Sequence, residues 1–209
     1  LGDIAFADTV VLAESNLGDD VDSEFTNLQA ALDGPDANGR GTEPVDGTTT
    51  VSLGTGGTLV LQFVDNLLTG NDNNVADLAV FETGASEAVL VEISRDGVTY
   101  FEVGLASASS PFIDIDSFGF SSKDRFAFVR LTDLDVPFDD PTVAFGPAGA
   151  DIDAVGALSA VPVDVFAPAS EGVVVENNAG PILLNNLVAN FDLGINIADV
   201  DPDPNVVSN

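Results

Sequence analysis

Between Thr49 and Leu158 the chain repeats one pattern, a short apolar or alternating run followed by a turn. The runs are TTVSLG, GTLVLQFV, ADLAVFE, AVLVEIS, VTYFEVG, FIDID, RFAFVRLTDL and DIDAVGAL. They recur roughly every ten residues and carry no 3.6-residue period, which predicts an all-β antiparallel sandwich or barrel. An earlier run, DIAFADTVVLAE (Asp3 to Glu14), has the β-branched and aromatic content of a further strand. Asp96-Gly97 in ISRDGVTYFEV supplies the positive φ values of a two-residue type I′ hairpin turn. Phe63, Phe81, Phe101, Phe126 and Phe128 fall on strand positions and are expected in the core.

Flanking segments read differently. Asn27 to Thr48 holds Gly, Pro, Asp and Asn at turn density and is expected to be a long surface loop. After Ser159 the composition shifts to AVPVDVFAPASEG, whose prolines suit an extended segment and exclude a central strand. The organisation expected is therefore a β-sandwich domain over 1–160 and a Pro/Ala linker with a strand-forming tail over 161–209. In that tail Phe191, Leu193, Ile195 and Ile197 alternate strictly, as in a strand with one buried face. Too few strands accompany them to bury a core, so the tail is expected to dock on its own sandwich or on a neighbouring subunit.

Charge narrows the partners. Against 35 acidic residues stand 5 basic ones, for a formal −30. Such a field repels nucleic acid and anionic membranes, and its self-repulsion calls for counterions, either diffuse salt on a halophile-type surface or tightly held divalent cations. Cys, His, Met and Trp are all absent, leaving hard oxygen ligands and no soft ones. No window approaches the about 18 unbroken apolar residues of a membrane span. With Leu1 at the start, a targeting segment is expected to have been removed or never included, which favours an exported, cell-surface protein.

The blocks VSLGTGGTLVLQFVDN, ADLAVFETG, VEISRDGVTYFEV, FIDIDSFG, FVRLTDL and GADIDAVGAL, preceded by ALDGPDANG, together resemble a family of secreted prokaryotic cell-surface domains. That resemblance implies a galactose-binding-like, jelly-roll β-sandwich outside the cell, stabilised by calcium. By wider similarity to carbohydrate-binding modules it implies a cation-holding acidic pair near the last strand, matched here by Asp151 and Asp153. The chain departs from the wider pattern in lacking Trp and in having Tyr100 as its only Tyr, so an aromatic platform for sugar rings is poorly supplied.

Calcium needs six to eight oxygen ligands at about 2.3–2.6 Å, hence several short acidic or amide side chains on a turn. Asp65, Asn66, Asn71, Asp72, Asn73, Asn74, Asp77 and Glu82 offer such a supply. The helix–loop–helix calcium signature does not fit, so any site must borrow ligands from distant loops. Strand alternation splits the cluster: Asp77 leads into ADLAVFE and Glu82 ends it, so they mark opposite rims. Asn71 to Asn74 reads equally as a solvated turn. Asp77 is the stronger candidate, because an acid entering a buried run loses solvation unless it is coordinated. Asp151 and Asp153, two apart, would share one strand face and repel unless a cation or Arg125 or Arg130 lies close. Asp33 and Asp36 in LDGPD are a further turn-borne pair, with an Asx turn as the plain alternative. Asp114 and Asp116 in FIDID are accounted for by a solvated strand face.

Asp151 with Asp133 or Glu82 suggests a glycosidase pair, but no nucleophile, His or phosphate loop supports catalysis, so no enzyme is expected. Two roles follow: a calcium-stabilised structural subunit of a surface filament or matrix fibre, self-assembling into a homo-polymer by strand addition, or a calcium-dependent carbohydrate-binding or adhesion module.

Overall fold

The computed structural model describes residues 5–37, 47–84, 86–134 and 149–163. All belong to one unit, Leu1–Val163. The tail expected to dock or exchange lies, from Asp164 onward, outside the described residues.

Among the described residues there are twelve strands: β1 Ala5–Phe6, β2 Thr9–Val10, β3 Val51–Ser52, β4 Thr58–Gln62, β5 Asn66–Leu68, β6 Leu78–Thr83, β7 Val89–Ser94, β8 Tyr100–Ala106, β9 Phe112–Ile113, β10 Phe128–Asp133, β11 Asp151–Ala157 and β12 Ala160–Pro162. One sheet runs β1-β11-β6-β9 with β3 also on β11; a second runs β2-β4-β10-β7-β8; β5 and β12 form a separate ribbon. All pairings are antiparallel. The two larger sheets enclose one apolar cluster, so the molecule is a β-sandwich, as the run-and-turn pattern requires. Among the described residues no helix is long and apolar enough to cross a membrane.

Each of the eight runs contributes a strand, and in β10 the alternation matches the pleat most plainly. In β10, Val129, Leu131 and Asp133 are buried while Phe128, Arg130 and Thr132 are half-exposed. On the facing sheet, Leu78, Val80, Ile152 and Val155 close the core. The first run divides between the sheets: the Ala7 N–H bonds the Val155 carbonyl at 3.0 Å, and the next N–H, of Asp8, bonds that of Gln62 at 2.9 Å.

Several expectations are corrected. The Asp-Gly hairpin forms, but not through a two-residue turn: β7 ends at Ser94, β8 begins at Tyr100, and Gly97 alone adopts positive φ, at 72°. Asp96 does not take a positive φ, and its Oδ1 accepts from the N–H groups of Val98 at 2.9 Å and Thr99 at 2.8 Å, a side-chain-closed turn. Asp96→Ala removes both bonds and is expected to lower stability by about 1 kcal/mol, read as a shift in urea midpoint at constant slope. Phe63 and Phe126 are in the core, and Phe101 packs against it, edge-on to Phe126 at 6.4 Å. Phe81 and Phe128 face outward instead. The core face of their strands is taken by Leu78 and Val80, and by Val129 and Leu131, so Phe81 meets Phe6 at 6.4 Å and Phe128 lies over Gly97. The segment from Asn27 is not wholly surface loop either: a 3₁₀ turn, Leu28–Ala31, buries Ala30 and Ala31.

A candidate metal centre at one rim

At the entry to β6 the backbone of Asp77 is pinned from both sides. Its N–H bonds the Ile113 carbonyl at 2.8 Å, and its carbonyl accepts from Leu158 at 2.7 Å and Ser159 at 3.1 Å. The side chain is thereby turned inward and is fully buried, at 0% exposure. Asp114 and Asp116 arrive from the end of β9. There the chain leaves the strand at Ile113 and enters a 3₁₀ turn, Ile115–Phe118, with Asp114 as its N-cap accepting from the Asp116 N–H at 3.0 Å. A strand would have sent the two acids to one solvated face. The turn instead folds them back over Asp77, so that one carboxylate oxygen of each residue lies within 4.8 Å of the others.

The hydrogen bonding of this trio is incomplete in a specific way. Asp77 Oδ2 accepts from the Ile115 N–H at 3.0 Å, and Asp116 Oδ2 accepts from Asn73 at 2.9 Å and Asn71 at 3.3 Å. The other oxygens, Asp77 Oδ1 and Asp116 Oδ1, are buried with no hydrogen-bond partner. Gly70 makes room for the second: a Cβ built there would stand 2.1 Å from Asp116 Oδ1. Burial, together with the like charges of Asp116 and Asp114, pushes the Asp77 carboxyl up to about 7 against the pull of the Ile115 N–H. Two oriented but unsatisfied carboxylate oxygens, and a third acid beside them, suit a hard divalent cation of the calcium type.

Asp72 does not join this trio. At φ 57° it reaches across to Ser122, accepting from its N–H at 3.1 Å and from its hydroxyl. Asn71 and Asn73 bond their own loop, Asn71 Oδ1 accepting from Asn73 at 3.1 Å and Asn73 Oδ1 from Val75 at 2.7 Å. The Asn-rich loop thus serves as a shaped turn whose N–H groups orient Asp116. Asp65 stands apart: its Oδ1 accepts from Asn66 at 2.6 Å, and its N–H lies 3.4 Å from Asp8 Oδ2.

Asp151 and Asp153 take different hydrogen-bond partners. A register shift between Ile152 and Ala154 bulges β11 at Asp153, which breaks the simple two-residue alternation. Asp153 Oδ1 accepts from the N–H groups of Asp36 at 3.1 Å and Ala37 at 3.3 Å, so the bulge ties the strand to the segment holding Asp33, itself at φ 65°. Burial raises the Asp153 carboxyl and those N–H bonds oppose the rise. Asp151 instead associates with Ser52, and burial pushes it up to about 7. Neither arginine considered for this pair is engaged there: Arg130 makes a two-pronged bond to Glu92 at 2.6 and 2.7 Å, and Arg125 donates to Thr69, Ser122 and Asp124.

Sequence reasoning therefore found one member of the trio, Asp77, and passed over Asp114 and Asp116. The available signal was FIDIDSFG, where a small residue and a glycine after the second acid favour a turn over continuation of the strand.

No family model matches the chain, and no curated protein matches it at a significant level. Among solved structures, the C-terminal domain of a chitobiase from Bacteroides fragilis aligns at 13% identity with a TM-score of 0.32, over 52% of this chain and 65% of that domain. A likeness of that size carries no argument about function. What can be identified is the fold: the described residues form an antiparallel all-β sandwich with a carboxylate trio at one rim.

Proposed function

We propose that the protein is an extracellular, non-enzymatic structural subunit of a surface filament or matrix fibre, whose sandwich is clasped by Ca²⁺ at Asp77, Asp114 and Asp116. The observation that carries this reading is the fully buried Asp77 Oδ1, left without a partner beside two further acids. An ion there would join three separate pieces of chain, namely the start of β6, the turn after β9 and, through Asp116, the Asn71–Asn73 loop. That is support for a loaded scaffold, since an ion bridging loops resists their separation.

Assembly is proposed to use the alternating segment Phe191 to Ile197 as a donor strand. Among the described strands β8 pairs with β7 alone, which leaves one of its edges available for such an addition. Deleting Pro181 to Asn209 is expected to abolish calcium-dependent polymers in light scattering while leaving the sandwich folded. Unchanged assembly would remove the tail from the mechanism.

The carbohydrate-binding alternative has less support. Across the outer face of the second sheet runs an open groove lined by Glu14, Asn16, Thr58, Val60, Glu92, Arg130 and Thr132. Next to it the Tyr100 ring already carries the Arg130 guanidinium at 3.9 Å, and its hydroxyl donates to Glu14 at 3.0 Å. The single tyrosine is thus engaged within the protein on one face of its ring and at its hydroxyl.

A further inference from the structure

The 3₁₀ turn that carries Asp116 also reaches β8, the last strand of the second sheet. Three anchors hold it: Ile115 is fully buried, the Gly119 N–H bonds the Asp116 carbonyl at 3.0 Å, and Phe120 packs edge-on against Phe101 at 5.6 Å and Phe126 at 4.9 Å. Phe118 stands between these anchors, 48% exposed, with the tip of its ring against Gly104 of β8. Gly104 lies in a bulge: Leu90 faces Leu105 and Glu92 faces Glu102, so Val103 and Gly104 together oppose Val91. There Gly104 takes φ 105°, and a Cβ added to it would stand 3.2 Å from Phe118 Cζ. The turn therefore touches β8 twice, at Gly104 through Phe118 and at Phe101 through Phe120. Among the described strands β8 is paired with β7 alone.

We propose that this turn couples the carboxylate trio to β8: calcium at Asp77, Asp114 and Asp116 seats Phe118 over Gly104, and the seated ring is what fits the strand to accept the Phe191 to Ile197 segment of a second copy. The inference rests on the reading of the trio as a calcium site and supplies the route from ion to assembly edge. Without an ion, carboxylate oxygens gathered within 4.8 Å repel one another. Asp77 is held at the entry of β6 by its backbone bonds to Ile113, Leu158 and Ser159, so the turn is the part that yields. Asp114 caps that turn and Asp116 lies within it, so moving these acids moves Phe118. An ion draws both acids to Asp77 and fixes the turn between β6 and β8. Half-exposed Phe118, with exposed Leu105 next to Gly104 in the chain, then offers apolar surface to the alternating side chains of an added strand.

Because the chain has no Trp, Phe118→Trp places one fluorophore at this seat. Calcium should shift its emission to the blue and lower acrylamide quenching by about twofold, as when a seated state rises from about half to nearly all of the population. Half-saturation should match equilibrium dialysis of the same full chain in about 1 M NaCl, where diffuse counterion binding is screened. Val98→Trp, at an 82% exposed position between β7 and β8, should not respond. Adding Asp114→Asn and Asp116→Asn to Phe118→Trp should remove both the binding and the emission change. Calcium that binds in dialysis without moving the Phe118→Trp emission overturns the coupling and leaves the trio as a metal site. Equal responses at the two fluorophore positions overturn it too, since the tightening is then global. A chain that binds no calcium in dialysis overturns the trio reading and this inference with it. Should Phe118→Trp fail to fold, amide hydrogen exchange over Tyr100–Ala106 in the unaltered chain replaces it: calcium should slow that exchange, and an unchanged rate overturns the proposal.

Discussion

Calcium is expected to raise the melting temperature of this protein by about 5–10 °C, and substitution of Asp114 and Asp116 by Asn should abolish most of that rise. A ligand at about one hundred times its dissociation constant adds about 2.7 kcal/mol to the unfolding free energy, and in a domain of this size each kcal/mol moves the midpoint by about 2–4 °C. The same substitutions should have the opposite effect in chelator. Asp114 and Asp116 both raise the Asp77 carboxyl through like-charge repulsion, so neutral amides relieve a strain that the ion would otherwise relieve. The melting curves should therefore cross: in EDTA the variant lies above the parent, and in calcium it lies below. Calorimetry at low and at about 1 M NaCl distinguishes this from a salt-loving surface. If sodium alone restores the chelated protein fully, the stabilisation comes from diffuse screening of the −30 charge and not from the trio.

Without calcium, stability should fall as pH rises from about 5 to about 8. Burial pushes Asp77, Glu87 and Asp151 up to about 7 and Glu82 up to about 8. An unfolded carboxyl titrates near 4, so across this window the native state holds protons that the unfolded state has lost. Native proton uptake of that sign means stability is greatest at the acid end of the window and declines towards pH 8. We expect a net loss of about 3 kcal/mol by urea unfolding. This is far below the sum of four separate shifts at about 1.4 kcal/mol per unit, because interacting acids share protons and the rims rehydrate. Saturating calcium should flatten part of the profile, since at Asp77 the ion takes the place of the proton. A chelated protein as stable at pH 8 as at pH 5 would mean that these acids are not confined as described.

The two rims also show how far the pattern of residues could be read. Alternation in ADLAVFE correctly separates Asp77 from Glu82 and sets Leu78 and Val80 on the face opposite Phe81, because period two follows from the pleat alone, but that Leu78 and Val80 rather than Phe81 turn inward is decided by the facing sheet. It failed for FIDID and GADIDAV, which look alike on paper. In the first, the strand stops at Ile113 and a 3₁₀ turn gathers the acids; in the second, a bulge at Asp153 shifts the register and Asp153 bonds the Asp36–Ala37 backbone. Both departures are set by what the neighbouring strand and loop can bond to, which spacing along one segment does not contain. Asp72 shows the same limit from the other side, since its partner Ser122 lies fifty residues away.

By itself, then, the order of residues determined the fold class, the rims of β6 and the oxygen-only character of any metal chemistry. These follow from local periodicity and from composition, which every conformation of the chain shares. Tertiary structure alone decided which acids meet. The carboxylates of Asp77, Asp114 and Asp116 converge because β9 lies on β6 and its turn folds back, and long-range contact of that kind depends on how sheets pair and where strands end.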